Sequence, residues 1–590
     1  MGRAFVKNFR FDEKNFKGLS HIIIVWWSLF SEKNPTKQET LWDMCNICSM
    51  KQNNITQRDY TTWGTPYQLV LPINFEFHIP KDDPVRLLRH FIGGMDLKEL
   101  YNTYSRVEKK QASPRQMLAI LVYANMNGIF SSRKIESACR RDINFMYLLE
   151  GKPAPDHATI ARFRSRHLSA CMKNIFAQMT VRLDDMGLLS LKQLFIDGTK
   201  IESCANKYTF VWKKSVTKQL AKLLQKIPTL FAEAEEDFGI KIDGAGLAKL
   251  RHLKRLRRKL KTYQRQEGIE FVHGIGKRKS QLQKLIERLD EAIGRLKDYT
   301  LKLHIAGSRN SYSKTDKDAT FMRMKEDAMK NGQLKPAYNV QFGVDSQYVV
   351  WVTEGPQPTD TTTLIPFLKD FELHFGKKYP QVVADAGYES EENYLWLENN
   401  GQLAYIKPTN YETLKKRSVK KDIGRRENMS YDVATDSYTC TNGKKIKAIG
   451  VRRSKSKTGY ISEKTQYACE ECQGCPKKAE CIRGASKIPL EYRVKRFEVA
   501  KKFQEQREKA LSRIKSPEGV ILRVNRSIQA EGAFAQTKGN LSFRRFLCRG
   551  RANILVEAML LAMAHNMICV HNKIQSGKEE RHLFAVAIAA

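Results

Sequence analysis

Two aspartates of the chain each follow a run of apolar residues and stand just before a glycine. Asp197 lies in "LFIDG", directly before Gly198, and Asp385 lies in "VVADAG", two residues before Gly387. Open α/β sheets bind ligands beyond the carboxyl ends of their strands, and a glycine there lets a substrate approach closely. Either aspartate alone could simply close a local turn. Two aspartates in the same setting predict a pair of metal ligands.

A glutamate on a predicted helix is the third acidic candidate. The stretch "GVILRVNRSIQAEGAFAQTKGN" repeats apolar residues at helical spacing, and Glu531 falls on the same stripe, with Lys538 two turns further on. An ionised carboxylate on a core-facing stripe is costly without a partner or a bound cation. With Asp197 and Asp385 it forms a set able to hold two divalent ions about 4 Å apart at a phosphodiester. Mg²⁺ suits such hard oxygen ligands, and Mn²⁺ is the alternative.

Several of the 12 cysteines are closely spaced. The segment "CEECQGCPKKAEC" holds Cys469, Cys472, Cys475 and Cys481, and Cys-x2-Cys turns give thiolates the reach for a tetrahedral site. A structural Zn²⁺ is the favoured interpretation, with Cys440 able to replace any one of the four, and free reduced thiols are the alternative. Cysteine usage over the whole chain favours a reducing intracellular compartment over a disulfide framework.

The charge of the chain indicates a polyanionic partner. Its 590 residues include 102 Lys and Arg against 63 Asp and Glu, a formal net charge of +39, which favours nucleic acid. A membrane surface is the weaker candidate, because the charge is spread along the chain and the apolar stretch "IIIVWWSLF" is too short to span a bilayer. The cations expected to contact DNA are Arg162, Arg164, Arg526, Arg544 and Arg545.

The elements that must position these residues alternate between helix and strand patterns. Helical periodicity runs to about Leu189, a strand leads to Asp197, and leucine stripes between about Trp212 and Leu303 predict two long helices folded as a hairpin. Further strands with an intervening helix lead to Asp385, and helices return towards the C-terminus. This order predicts an α/β fold with a mixed sheet that is interrupted by inserts.

Four segments in this order resemble a bacterial insertion-sequence transposase of the DDE class, whose catalytic core has an RNase H-like fold. They are "SSRKIES…DHATIARFR", "FIDGTKIESCANKYTFVW", "ADAGYESEENY" and "EGAFAQTKGNLSFRRFLCRG", and the similarity covers roughly residues 65 to 572. The resemblance implies that Asp197, Asp385 and Glu531 are the catalytic triad. It also implies that Lys538 contacts the terminal phosphate.

Many relatives carry a tyrosine seven residues and an arginine four residues before the catalytic glutamate. Here Val524 and Ser527 occupy those positions, and Arg526 stands one place away from the arginine position. The resemblance therefore implies metal-dependent cleavage and strand joining, but it does not extend to the DNA-hairpin chemistry that some relatives perform.

The resemblance predicts a DNA transposase that binds the inverted-repeat ends of its element, cleaves them and joins them to target DNA with two metal ions. It further implies a homodimer that pairs the two ends, DNA rather than a membrane as partner, and a cytoplasmic, nucleoid-associated location. Two alternatives stay open from the sequence: a non-catalytic DNA-binding remnant of a transposase, and a metal-dependent nuclease that does not join strands.

The predicted fold class is α/β, with an RNase H-like mixed-sheet core, a helical insertion, a Cys-bearing insertion and a helical N-terminal domain. Seven segments follow from it. They are a poorly ordered extension at 1–64, a helical DNA-binding domain at 65–190, the first core strand at 191–212, a basic helical-hairpin insertion at 213–306, the rest of the core at 307–408, a basic insertion with the cysteine cluster at 409–500, and C-terminal catalytic helices at 501–575.

Overall fold

The computed structural model describes residues 78–105, 110–242, 249–274, 276–324, 332–484 and 486–585. The extension predicted at 1–64 lies outside these residues. The described chain has an α/β fold centred on a mixed RNase H-like sheet, with helices before it and inserts within it. The predicted fold class is confirmed.

Helices fill the described chain before the first strand, and several begin where the sequence predicts a cap. They are α1 (Pro84–Gly93), α2 (Lys98–Asn102), α3 (Pro114–Met126), α4 (Ser132–Arg141), α5 (Ile143–Leu149), α6 (His157–Arg162) and α7 (Ser169–Asp185). Ser113 and Gln116 form a capping box at the start of α3. Asp156 accepts hydrogen bonds from the backbone of Ala158 and Thr159 at the start of α6. A π-helical turn, Phe163–Leu168, joins α6 to α7.

An inserted helical bundle follows the first strand, β1 (Gln193–Glu202). It consists of α8 (Lys213–Phe238), α9 (Leu250–Gln266) and α10 (Gln281–Ala306), and its base is closed by β2 (Phe210–Trp212) pairing with β3 (Ser311–Ser313). The two predicted leucine-striped helices correspond to α9 and α10, which share one core, whereas α8 was not predicted, so the insert is a three-helix bundle and not a hairpin alone. The helix α8 continues through Pro228 because residues on both sides of it, including Ile227 and Leu230, are buried in the bundle's own hydrophobic core.

The central sheet is completed by five further strands. They are β4 (Thr320–Arg323), β5 (Leu334–Asp345), β6 (Tyr348–Gly355), β7 (Gln381–Ala384) and β8 (Leu403–Ile406), with α11 (Leu364–Phe375) before β7 and α12 (Glu391–Asn399) after it. The strand order is β4-β5-β1-β7-β8, with β6 also beside β5. The strand β1 pairs antiparallel with β5 and parallel with β7, and β8 pairs parallel with β7. The side-by-side parallel strands β1 and β7 are the ones that carry the two candidate aspartates.

A second sheet lies in the Cys-bearing insertion, where the sequence analysis predicted no strands. After the short helices α13 (Tyr411–Lys415) and α14 (Arg417–Lys420), five antiparallel strands pair in the order β13-β12-β11-β10-β9. They are β9 (Ser430–Asp432), β10 (Ser437–Thr439), β11 (Lys445–Lys455), β12 (Ile461–Cys469) and β13 (Arg496–Val499), with α15 (Lys478–Cys481) before the last. The tip of the β11–β12 ribbon contacts the start of α12, where the Tyr460 hydroxyl donates to Glu391 at 2.7 Å.

The C-terminal helices are interrupted by two π-helical segments. The order is α16 (Lys501–Lys515), α17 (Pro517–Arg526), a π turn at Ser527–Glu531, α18 (Gly532–Ala535), a second π turn at Gln536–Asn540, and α19 (Arg551–Ser576). Among the described helices, α19 is long and apolar enough to cross a membrane, but 78% of its most apolar stretch is buried inside the protein. It packs against β6, α3 and α7, as expected of a core helix.

One hydrophobic core joins the N-terminal helices, the central sheet and α19. The helical bundle and the Cys-bearing sheet each have a separate small core. The region before β1 is therefore continuous with the sheet that carries the aspartates, whereas the two insertions are packed largely within themselves.

Asn566 of α19 acts as an extra partner for the strand β6. Its side-chain oxygen accepts from the backbone N–H of Val349 at 2.7 Å, and its side-chain nitrogen donates to the Val349 carbonyl at 2.8 Å. Both Asn566 and Val349 are fully buried. The side chain thus satisfies a backbone donor and a backbone acceptor that water cannot reach.

We expect Asn566→Leu to lower the free energy of unfolding by about 2–4 kcal/mol, because it leaves both groups of Val349 without a partner in the core. Urea unfolding followed by circular dichroism measures this. The control is the neighbouring Met567→Leu, a nearly volume-conserving change that should cost less than about 1.5 kcal/mol. Equal stability of Asn566→Leu and the wild type would contradict this role.

Candidate active site

The strand register brings the two predicted aspartates together. Ile196 of β1 is paired in parallel with Ala384 of β7, and Asp197 and Asp385 are the next residues of their chains. Neighbouring strands lie about 4.8 Å apart. Both side chains therefore start from adjacent positions at the carboxyl end of β7, where ligands of open α/β sheets bind.

The pKa of the Asp197 carboxyl is raised by burial. Burial raises the pKa of its carboxyl to about 6, the nearby charges of Asp385 and Glu531 add to this rise, and Arg526 and the backbone N–H of Gly198 oppose it. A buried carboxylate with two acidic neighbours is stabilised in its charged form by a cation. The three predicted acids therefore interact electrostatically in one place.

Arg526 supplies a positive charge between two of these acids. Its guanidinium lies 3.4 Å from an Asp197 carboxylate oxygen and 2.8 Å from a Glu531 carboxylate oxygen. The Ser527 hydroxyl donates to the same Glu531 oxygen at 3.1 Å. Of the three carboxylates, Asp197 and Glu531 already bind this cationic group, and such a donor set fits the hard divalent ions expected at the site.

The π-helical turn at Ser527–Glu531 explains the position of Arg526. A π turn closes over five residues rather than four, so a residue five places before Glu531 lies one turn away from it. Arg526 consequently reaches Glu531 although it stands one place from the position of the arginine in many relatives. With this one-residue shift the tyrosine position of the signature falls on Arg523 instead of Val524, and neither is a tyrosine.

The same π turns overturn the core-facing stripe expected for this helix. The Glu531 side chain is 55% exposed, and Val524 and Ile528 are also exposed. The buried face is formed by Leu522, Asn525, Gln529, Ala530, Ala533, Phe534 and Thr537. Each π turn adds a residue, so a stripe drawn at α-helical spacing rotates away from the core. Glu531 faces the open side of the site and is not a buried acid.

A layer of polar side chains beneath the aspartates was not predicted. Asn339 and Gln341 of β5 donate to one Asp360 oxygen at 2.7 and 3.1 Å, and the Tyr388 hydroxyl donates to the Gln341 side chain. Gly198 leaves the room for this layer, because a Cβ there would lie 2.8 Å from Asp360 Oδ1 and closer still to the Gln341 side chain. In the sequence, Thr359 or Asp360 of "PTDTTT" is a candidate cap of the following helix, and that signal alone does not separate capping from a role in the site.

Tyr388 connects this layer to the acidic pair. Burial raises its pKa well above the usual value, and the carboxylates of Asp360, Asp197 and Asp385 raise it further. The phenol therefore remains a neutral hydrogen-bond donor. Its hydroxyl holds Gln341, which in turn holds Asp360 next to Gly198.

The other cations predicted to contact DNA divide into two groups. Arg162 and Arg544 are exposed, and Lys538 is half-exposed on the second π turn beyond Glu531. Arg545 is exposed in part but donates to the backbone carbonyls of Ser203 and Ala205 at 3.1 and 3.2 Å. Arg545 thus fixes the loop that follows β1.

Arg164 is not available to DNA, and that prediction is wrong. It is 4% exposed and donates to the Phe130 carbonyl at 3.1 Å, with Glu557 of α19 at 3.8 Å. Glu557 accepts from the backbone of Leu547 and Cys548. Helical spacing explains this placement, because residues two apart do not share a helix face: Arg162 and Arg166 are exposed on one side, and Arg164 lies on the other.

The five cysteines of the predicted zinc site surround one small cavity. Cys440, Cys469, Cys472, Cys475 and Cys481 line it together with lysine side chains. The Lys495 backbone N–H donates to the Cys472 sulfur at 3.3 Å, and the Asn442 side chain donates to the Cys475 sulfur at 3.6 Å. Burial and the neighbouring Cys472 raise the pKa of the Cys469 thiol to about 12. The arrangement therefore favours neutral thiols unless a cation stabilises the thiolates.

Only one group of three ligand atoms lies within 4.8 Å of one another in the described part of the chain, formed by Glu136, Asp156 and His157. Asp156 caps α6, and Glu136 accepts from both the backbone and the ring of His157. These hydrogen bonds account for the group. The acids around Asp197 and the thiols of the cysteine cavity are more widely spaced.

Two families of known proteins match separate parts of this chain. Asp197 lies within β1, Asp385 directly follows the parallel neighbour β7, and the helix glutamate Glu531 interacts with Asp197. Residues 439–571 match the family described as a transposase DDE domain, and residues 73–166 match the one described as a transposase domain (DUF772). These two matches indicate an insertion-sequence transposase of the DDE class. No curated protein and no solved structure matches the chain.

The first match includes Glu531, Lys538 and all five cysteines of the cavity, whereas Asp197 and Asp385 lie outside both matches. The strand register and the charge interactions are therefore the evidence for the two aspartates.

We expect Gly198→Ala to destabilise the protein by about 1–3 kcal/mol, because the added methyl group forces Gln341 and Asp360 apart in a packed layer. Thermal unfolding measures the effect. Gly532→Ala is the matched control: Gly532 follows Glu531, its Cβ would meet nothing within 4 Å, and the change should stabilise the helix by up to about 1 kcal/mol. An unchanged melting temperature for Gly198→Ala would contradict the packed layer.

Proposed function

We propose that the protein binds the inverted-repeat ends of its mobile element, cleaves them and joins them to target DNA at Asp197, Asp385 and Glu531. The observation that carries this proposal is the parallel register of β1 and β7, which gives the two aspartates adjacent positions. The electrostatic interaction of Asp197 with Asp385 and Glu531 supports one shared site.

Two Mg²⁺ ions, or Mn²⁺ in their place, would be held by these carboxylates and would activate the attacking oxygen and stabilise the leaving oxygen of the phosphodiester. The protein's part is to hold the three acids in place. Asp197 is fixed by the Gly198 backbone N–H at 2.8 Å, and the Asp360 layer supports the strand beneath it. Arg526 contacts Asp197 and Glu531, and its guanidinium would be able to bind two oxygens of a phosphate with parallel hydrogen bonds.

Cations beyond the acidic centre would hold the rest of the DNA. Lys538 lies on the same helical segment as Glu531 and would contact the terminal phosphate. Arg162 and Arg544 are exposed and would contact the backbone. A homodimer would bring two ends to one target with symmetric geometry. We further propose that the protein acts in the cytoplasm, in association with the nucleoid.

Two other functions are tested by the same assay. A non-catalytic DNA-binding remnant would bind the ends without nicking them, and a nuclease would nick them without joining. The presence of all three acids favours catalysis, because clustered carboxylates repel phosphate and would weaken a protein that only binds DNA. Labelled element ends incubated with Mg²⁺ and a target plasmid separate the three outcomes.

We expect Asp385→Asn to lower end cleavage by at least about 10³-fold, because a lost metal ligand removes several kcal/mol of transition-state stabilisation. End binding in a gel-shift assay should change little, since the substitution removes a negative charge near phosphate. Asp185→Asn, the same change at an exposed helix end, should cleave at the wild-type rate. Wild-type cleavage by Asp385→Asn would refute the assignment.

We also propose a structural Zn²⁺ in the cysteine cavity. Cys469, Cys472, Cys475 and Cys481 are the expected ligands, with Cys440 able to take the place of one of them. Their position around one cavity and the two N–H groups that donate to sulfur support this site. Ordinary free thiols are the alternative.

We expect about one zinc per chain in the purified protein. Cys472→Ser should lower the zinc content and the melting temperature, whereas Cys204→Ser, outside the cavity, should leave both unchanged. Elemental analysis and thermal unfolding with and without a chelator measure these effects. A zinc-free wild-type protein with full stability would remove this proposal.

A further inference from the structure

A cationic groove lies in the inserted helical bundle, away from the acidic centre. It has a volume of about 330 Å³ and runs between α9 and α10. Cations dominate its lining: Lys254, Arg257, Arg258, Lys261 and Arg265 come from α9 and Lys297 from α10, with Thr262 and Ile293 as the other lining residues. This groove is distinct from the cations assigned above to DNA contact.

Most of this charge is not neutralised within the described protein. Arg257 forms an ion pair with Asp290. The described residues provide no ion pair for Lys254, Arg258, Lys261, Arg265 or Lys297. By contrast, other cations of the bundle are paired, such as Arg288 with Glu233 and Arg295 with Glu291. Like charges this close destabilise a helix unless an anion relieves them.

The spacing of these cations fits an extended polyanion. Lys254, Arg258, Lys261 and Arg265 follow one another at four, three and four residues, so they form a single stripe on α9. At 1.5 Å per residue the stripe is about 16 Å long. Phosphates of one DNA strand advance about 3.4 Å along the axis. Because the strand also winds around the axis, neighbouring phosphates are farther apart than this rise, and the stripe spans about three or four of them.

A small anionic ligand fits the groove less well. Sites for small molecules are mostly apolar, with a few polar groups that fix the orientation of the ligand. Here the apolar lining is a single isoleucine, and the side of α9 that carries Leu253, Leu256 and Leu260 is used in the bundle core. The leucines anchor the helix while the cations remain at the surface.

We propose that this groove binds the phosphate backbone of the element-end duplex at a site separate from the cleaved phosphodiester. The inference rests on the proposed function for the identity of the DNA, but the groove itself is defined by its own charges. The inserted bundle then serves as a second DNA clamp, which contributes affinity and register without reading bases.

The test uses the variant Lys254→Gln/Arg258→Gln/Lys261→Gln/Arg265→Gln in the full chain. Glutamine retains helix propensity, so circular dichroism should show an intact fold. Removing four phosphate contacts should lower the slope of log K against log salt by about 3–4. The dissociation constant for an end duplex should rise at least about tenfold at 0.15 M salt.

The matched control is Lys279→Gln/Arg288→Gln/Arg295→Gln/Lys302→Gln. It removes the same charge from the same bundle, but each of these cations is paired with a carboxylate. Its salt slope should stay closer to that of the wild type. Phosphate-ethylation interference should show about three or four consecutive sensitive phosphates with the wild type and the control, and none at those positions with the groove variant.

An unchanged slope and ethylation pattern in the groove variant would overturn the proposal, as would equal losses in the control. Loss of duplex-RNA binding with DNA binding intact would also overturn it, in favour of an RNA partner. At low salt and saturating DNA the groove variant should still cleave ends. If the wild type binds but never cleaves, the proposed transposition chemistry fails while the groove is still tested by binding.

Discussion

Parallel pairing of β1 with β7 is the constraint on which the candidate site depends. A sheet fixes the position of neighbouring residues through its backbone hydrogen bonds. Because Ile196 pairs with Ala384, the residues that follow them, Asp197 and Asp385, lie side by side. The apolar residues of both strands are buried on the sheet, which prevents a shift of register. The acids that repel one another are therefore held together by the burial of residues that have no part in the chemistry.

This proximity has an electrostatic cost, and the helix that carries Glu531 offsets it. Arg526 lies between Asp197 and Glu531, so a single guanidinium balances two of the three acids. The π turn makes this geometry reachable from the sequence spacing of the two residues. A local departure from α-helical geometry thus places both an acid and its counter-charge on the open side of the site, in keeping with the frequent occurrence of π turns at functional sites.

The sequence was sufficient for the features that depend on local patterns. The apolar runs before Asp197 and Asp385 predicted strands, and both strands form; β7 ends just before Asp385, whereas β1 continues past Asp197 to Glu202. Ser113 and Asp156 are local cap signals, and a helix begins after each of them. Features that depend on geometry or on distant contacts were missed. The π turn before Glu531 leaves no clear sequence signal, so the face of Glu531 was assigned wrongly. Arg164 was also assigned wrongly, although it stands two residues from Arg162 and so lies on the opposite side of the helix. Burial of Arg164 requires Glu557, which is almost 400 residues away, and the Asp360 layer requires strand pairing. The helix α8 was not predicted, and its interior residue Pro228 is of a type that usually interrupts a helix.

The pairing of β2 with β3 has a further consequence for how the sequence of such a protein can change in evolution. Phe210–Trp212 and Ser311–Ser313 pair at the base of the inserted bundle. The two chain segments that connect these almost one hundred residues to the rest of the fold therefore lie side by side. Beyond this pair of strands, the bundle has its own hydrophobic core. Related proteins could therefore change the length or the surface charge of this inserted bundle, or lose it, while the central sheet and its acidic residues are retained. The preference for particular DNA could then diverge without a change in the catalysed reaction.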